Sequence, residues 1–285
     1  MLRAFGAVGM VWPKTERLTI VEHSMSDQQS ARNGRGVLGM PAGSSRAVSP
    51  RKVGSLYQTS TISALADGVY VGEATYGDLH RHGDFGLGTF NNLDGEMVGL
   101  DGVFYQLRSD GSVRIVQDDW NTPFAAVTFF EASTSVQLQS TSKAEVFDRL
   151  MQSIEVNLFT AIRIDGRFKR VVTRTVHEQR PPFPKFPDAA SKEKKSMLAD
   201  VEGTLAGYRT PIYAGNLNVP GFHLHFLSAD RAVGGHVLDF EIDEAIAKLC
   251  PLHSLHVDFP RSGAFLKANL DSPDLARDIS AAENS

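Results

Sequence analysis

The sequence predicts an α/β protein of the α+β, β-rich kind: two mixed β-sheets with a few helices and a crevice between them. Three observations carry that expectation. From Leu56 onward, short apolar stretches are separated by the turn dipeptides Asp94-Gly95, Asp101-Gly102, Asp110-Gly111 and Asp165-Gly166, as in a hairpin-rich chain. One segment alone shows clear helical periodicity. Pro181, Pro182, Pro184 and Pro187 then divide the strands into two sets, because proline lacks the N–H that regular structure uses.

Taken in order, residues 1–54 hold almost no periodic apolar positions and are expected to form a disordered extension. Arg3, Lys14 and Arg17 there are accompanied by Glu16 and Glu22. The pattern favours the cytoplasm, with mitochondrial targeting as the alternative. Residues 55–285 form the folded body, expected as two β-rich halves of about 55–180 and 200–285. Val103-Phe104-Tyr105-Gln106-Leu107 and Val113-Arg114-Ile115-Val116 flank Asp110-Gly111 as a hairpin, and Phe159 to Ile164 and Arg167 to Val176 are expected to flank Asp165-Gly166 in the same way. The helix starts at the capping box Ser142-Lys143-Ala144-Glu145, followed by the apolar stripe Phe147, Leu150, Met151 and Ile154. Phe183 and Phe186 are expected to pin the proline-rich loop.

Composition excludes several function classes. The chain has 285 residues, 42% hydrophobic and 22% charged, with 29 basic against 33 acidic residues. That is the profile of a globular protein with no membrane-spanning run and no basic stripe for nucleic acid. The single cysteine, Cys250, rules out an internal disulfide framework and fits a reducing compartment. A chain of this length folds without a structural metal, so a metal site would be there for function.

Such a site is suggested by Gly221-Phe222-His223-Leu224-His225-Phe226. Strand alternation puts both histidines on one face and Leu224 and Phe226 on the other. Asp230-Arg231 and the flexible Gly234-Gly235 turn the chain into His236-Val237-Leu238, which brings His236 opposite His225. Three neutral imidazoles with open positions suit Zn²⁺. Spacing alone equally allows histidines that hydrogen-bond on a polar sheet surface. His80-Arg81-His82 and His253-Ser254-Leu255-His256 lack a third ligand nearby and are read as structural or surface residues, although the first pair could line the same pocket. Gly83, Gly86 and Gly88 lack the strand, turn and helix of a phosphate loop and are expected to give backbone clearance.

Several stretches together resemble the acetolactate decarboxylases over nearly all of residues 55–285. They are His82-Gly83-Asp84-Phe85-Gly86-Leu87-Gly88-Thr89-Phe90, Leu93-Asp94-Gly95-Glu96, Thr173-Arg174-Thr175, Gly203-Thr204-Leu205, and the run from Gly221-Phe222-His223 through Gly234-Gly235-His236. The resemblance implies a catalytic zinc on His223, His225 and His236, with Glu96, Arg174, Thr89 and Glu283 as further site residues. It also implies 2-acetolactate as substrate, acetoin and carbon dioxide as products, and a homodimer. The chemistry is coherent with these residue types: a Lewis acid on the ketone and hydroxyl oxygens stabilises the enediolate left by carbon dioxide. Arg174 can orient a carboxylate, and Glu96 or Glu283 can return a proton to carbon. Thr89 could hydrogen-bond a substrate oxygen or simply occupy a strand. A cupin-like iron dioxygenase and a non-enzymatic domain that binds a small acid are the alternatives.

Overall fold

The structure is a computed structural model that describes residues 52–191 and 193–284. The expected disordered extension falls, up to residue 51, outside the described residues. Lys52, Val53 and Gly54 lead through a turn into the first strand.

The elements up to Thr128 are β1 (Ser55–Thr59), α1 (Ile62–Ala66), β2 (Ala74–Thr75), α2 (Tyr76–His80), β3 (Phe85–Thr89), β4 (Glu96–Leu100), β5 (Val103–Leu107), β6 (Val113–Ile115), β7 (Asn121–Thr122) and β8 (Ala125–Thr128). They continue with β9 (Thr134–Ser142), α3 (Lys143–Met151), β10 (Phe159–Thr175), α4 (Phe186–Ala190), β11 (Lys194–Thr210), β12 (Gly221–Ser228), β13 (Gly234–Leu252), β14 (Ser254–Asp258), α5 (Gly263–Lys267) and α6 (Leu275–Asn284). A seven-stranded sheet has the order β14-β1-β8-β3-β4-β5-β6. Its β1–β14 pair is parallel and its other pairs antiparallel. The second sheet, β10-β11-β12-β13-β9, is antiparallel throughout, and β10 also pairs with β13 so that four of its strands close on themselves. Strands β2 and β7 form a small separate pair.

Two expectations about this layout need correction. The change of sheet falls between β8 and β9, well before the proline-rich stretch, and β14 returns to the first sheet, so the sheets do not follow halves of about 55–180 and 200–285. Asp165-Gly166 is not a turn either, because β10 runs through it without a break. Gly166 lies between Gly203 on β11 and Ala245 on β13, where a Cβ would stand 2.3 Å from the Glu244 carbonyl oxygen. Its glycine serves close strand approach, while Asp165 takes Arg163, Thr204 and Lys248. Gly166→Ala is therefore expected to destabilise the fold by about 3 kcal/mol. Urea denaturation checks this, and an unchanged midpoint would contradict the packing argument.

Other local readings match the structure. Asp101 and Gly102, both at positive φ, make the tight β4–β5 turn, and Asp110-Gly111 joins β5 to β6. Ser142 and Glu145 form both halves of the capping box, after which Val146 and Leu150 are buried and Phe147 and Met151 pack against the second sheet. The helix ends at Met151, so Ile154 joins that core from beyond it. Phe183 packs on Tyr70, and Phe186 begins α4 rather than staying in a loop.

Three packing regions position the site. The sheets meet through Leu87, Val98, Leu107, Ala206 and Leu227. Helix α3 covers the opposite face of the second sheet, where Leu224, Phe226 and Phe240 point. Helices α1, α4 and α6 contribute Ile62, Leu65, Phe186, Ile279 and Ala282 to a third cluster, which caps the end of the crevice. Among the described residues no helix is long and apolar enough to cross a membrane.

Candidate metal centre and active site

Alternation along β12 sends Leu224 and Phe226 into the core and turns His223 and His225 into the crevice. The β12–β13 hairpin pairs His225 directly with His236, and β13 pairs His236 with Arg174 on β10. Residues in register face the same side of a sheet, so three adjacent strands deliver these side chains to one place. Gly234-Gly235, expected to turn the chain, instead lies within β13, paired with β12, and makes this possible by clearance. A Cβ on Gly234 would lie 2.3 Å from the Phe226 carbonyl oxygen, and one on Gly235 2.6 Å from that of Arg174.

The three imidazoles are buried, with ring centroids 5.2, 5.0 and 5.5 Å apart. One ligand atom from each lies within 4.8 Å of the others. Their outward nitrogens are already oriented. His225 Nδ1–H donates to the Met97 carbonyl at 2.7 Å, and His236 Nε2–H donates to the Glu283 carbonyl at 3.1 Å. These bonds leave His225 Nε2 and His236 Nδ1 as lone-pair donors. His225 Nε2 and His223 Nδ1 are buried without a hydrogen-bond partner, a costly arrangement unless something takes the lone pairs. A divalent ion that accepts imidazole nitrogen fits that donor set.

Around the histidines stand four charged residues and an apolar wall. Glu96, which opens β4, places Oε2 3.7 Å from His225 Nε2. Glu283, from α6 at the far end of the chain, folds back so that Oε2 lies 3.5 Å from both His223 Nε2 and His236 Nδ1. Arg174, 1% exposed, directs Nη2 to Glu283 Oε2 at 3.4 Å and Nη1 to Glu193 Oε1 at 2.7 Å. Thr89, paired with Glu96 across β3–β4, lines the cavity, but its hydroxyl donates to the Gly95 carbonyl at 2.7 Å. Its proton thus braces the turn before Glu96, leaving only lone pairs for a ligand. Ile62, Leu65, Leu93, Phe124, Val176 and Phe186 form the wall.

Glu193 has no local sequence signal. It follows Ser191 and Lys192 and precedes Lys194-Lys195, a charged run that reads as solvated surface. Only the β10–β11 register, which sets Arg174 against Lys195, carries the segment to the guanidinium. The other histidine pairs stay away from the crevice. His80 stacks on Phe104 and bonds Asp118, while His82 stacks on Tyr57. With Asp258, Tyr57 and His82 line a separate outer groove, so the expectation that this pair could share the pocket is not met. Gly88 does line the cavity, and a Cβ there would meet the Phe124 carbonyl oxygen at 2.6 Å.

Burial sets the protonation states. It pushes His223 down to about 3, and His225 and His236 well below the ordinary 6.5. It raises Glu96 to about 8, Glu193 to about 7 and Glu283 to about 6 from the ordinary 4.5. A histidine held low stabilises the fold fully above pH 6.5, and that contribution fades as pH falls. A carboxyl held high does so fully below pH 4.5, and its contribution fades as pH rises through 6 to 8. Chelator-stripped protein is thus expected to be most stable between pH 4.5 and 6.5. Urea midpoints should drop toward pH 8 and again toward pH 4; a midpoint that climbs steadily to pH 8 would contradict this charge assignment.

A two-sheet α+β fold whose crevice holds three buried histidines, an arginine and acidic partners defines a candidate metal-dependent enzyme of a small acid. The comparisons narrow the class: residues 56–272 match the family model for alpha-acetolactate decarboxylase, and the chain belongs to that family, whose members are carboxy-lyases. The alpha-acetolactate decarboxylase of Bacillus subtilis (strain 168) is 40% identical over 243 residues, 85% of this chain and 95% of the relative. That of Raoultella terrigena is 43% identical over 231 residues, 80% and 89% of the two chains. A crystal structure of the Bacillus subtilis strain 168 enzyme superposes with a TM-score of 0.80 at 39% identity, covering 81% of this chain and all of the other.

Proposed function

We propose that this chain decarboxylates 2-acetolactate to acetoin and carbon dioxide, using zinc held by His223, His225 and His236. The observation that carries this reading is the buried cluster of three histidines, two with orphaned nitrogens, facing Arg174 and two carboxyls raised by burial. Its relatives' names supply the substrate.

Arg174 presents a planar fork to the substrate carboxylate and fixes the bond to be broken. The apolar wall excludes water, which strengthens the polar interactions that meet the charge developing on the substrate's oxygens. When the bond between the carboxylate and the carbinol carbon breaks, the electron pair enters the neighbouring carbonyl. Zinc, when bound, supplies Lewis-acid stabilisation of the negative charge on the substrate's oxygens, worth several kcal/mol. Glu96, whose carboxyl burial shifts toward its protonated form, delivers the proton to the carbinol carbon and yields acetoin. Glu283 approaches His223 and His236, whereas Glu96 approaches His225, and Glu283 suits a fourth metal partner.

The test is acetoin and carbon dioxide release from 2-acetolactate by the purified protein, before and after chelation and after zinc is restored. The expected result is turnover above the spontaneous rate, lost with the metal and recovered at about one zinc per chain. No acetoin above the spontaneous rate would overturn the decarboxylase reading; full turnover by metal-free protein would overturn the zinc.

A further inference from the structure

We infer that Glu193 is a positioning residue that holds the Arg174 guanidinium in the orientation needed to receive a substrate carboxylate. The inference rests on the proposal that Arg174 binds that group.

Arg174 has five N–H donors and almost no exposure. Its one short hydrogen bond runs from Nη1 to Glu193 Oε1 at 2.7 Å, whereas the approach of Nη2 to Glu283 at 3.4 Å is close to the limit for such a bond. Nε has no partner. An arginine side chain is long and rotatable, and with only the Glu283 contact the fork would swing toward that carboxylate and across the histidines. Glu193 prevents this through its bond to Nη1. Arg174 lines the cavity and Glu193 does not, so the carboxyl holds Nη1, while Nε, which has no partner, and Nη2, held only by the long contact to Glu283, can receive a ligand.

The bonding also says what kind of group is needed. Glu193 Oε2 is buried without a hydrogen-bond partner, so the pair is joined through one oxygen rather than as a two-oxygen fork. A single acceptor oxygen at that position satisfies the geometry, and the negative charge is dispensable. Burial that favours the neutral carboxyl agrees with this.

Glu193→Gln and Glu193→Leu separate the two properties, because glutamine keeps an acceptor oxygen and leucine has none. The glutamine variant is expected to stay within about threefold of wild-type kcat/KM, since the acceptor survives. The leucine variant is expected to lose roughly 10-fold to 100-fold, the effect of a misplaced binding group. Calorimetry with 2-hydroxyisobutyrate, a 2-hydroxycarboxylate that cannot decarboxylate by this route, should show weakened binding for leucine and not for glutamine. In an Arg174→Ala background, Glu193→Leu should cost less than about twofold, the non-additivity expected when one residue acts through another. Equal losses in both backgrounds, or a glutamine variant as impaired as the leucine variant, would overturn the role. If the leucine variant does not fold, Glu193→Asp replaces it: its withdrawn oxygen should give an intermediate loss of affinity, and unchanged affinity would overturn the role. Arg174→Ala with undiminished affinity for the acid would instead overturn the proposal on which this one rests.

Discussion

His225→Ala is expected to lower kcat/KM on 2-acetolactate by at least about 10³-fold, because the loss of several kcal/mol of Lewis-acid stabilisation converts to that factor. Of the three histidines, His225 has its roles most fully assigned by geometry. Its Nδ1–H is fixed on the Met97 carbonyl, its Nε2 is buried without a partner, and its backbone is registered against His236. Alanine removes the lone pair, and the carbonyl that held the ring loses its donor. The fold should survive, since the missing hydrogen bond costs about 1–3 kcal/mol. Zinc content by mass spectrometry or absorption is therefore the deciding companion measurement. Activity and zinc should fall together. A variant that retains both near wild-type levels would remove His225 from the metal centre.

The residues involved show why much of this site is legible in the sequence. His-x-His on a strand has one geometric outcome, because side chains alternate every residue, and the structure places both rings in the crevice. The hairpin to His236 is equally local. In the turn after Ser228, its hydroxyl donates to Asp230 and accepts from the Ala232 and Val233 N–H groups, and Asp230 accepts from Ala232 N–H. Asp165-Gly166 has the same letters as a turn and a different cause. Its glycine answers to two neighbouring strands that are remote in sequence, and nothing within the segment itself reveals them. Sheet membership fails for the same reason, since pairing partners of β10 and β14 lie far along the chain.

Charged residues show the limit from the other side. Glu96 and Arg174 sit on strands within recognisable stretches of sequence, and motif resemblance is enough to single them out. Glu283 is marked only weakly, because its position depends on α6 docking through Leu275, Ile279 and Ala282. Glu193 carries no mark at all, yet Arg174 could not remain buried at the crevice without an acceptor of this kind. A buried cation creates a requirement for a partner, and the requirement is satisfied by whatever segment the register brings alongside.

The two carboxyls nearest the histidines are expected to separate on mutation to glutamine. Glu96 stands on a strand, braced by the Thr89–Gly95 hydrogen bond, and burial keeps its proton to about pH 8. Glu283 belongs to α6, is raised less, and approaches two histidine nitrogens at the same distance. A proton donor must be protonated and immobile; a metal partner must reach the ion as a carboxylate. Glu96→Gln preserves shape and the acceptor oxygen but cannot supply the proton, so kcat should fall roughly 10²-fold to 10⁴-fold with zinc content unchanged. Glu283→Gln should instead loosen zinc, so that activity lost at low metal returns when zinc is added in excess. Rapid-quench measurement of carbon dioxide and acetoin separately sharpens the distinction: with Glu96→Gln, acetoin should lag behind carbon dioxide because protonation becomes the slow step. If Glu96→Gln turns over normally while Glu283→Gln is inactive with its zinc in place, the two roles are reversed.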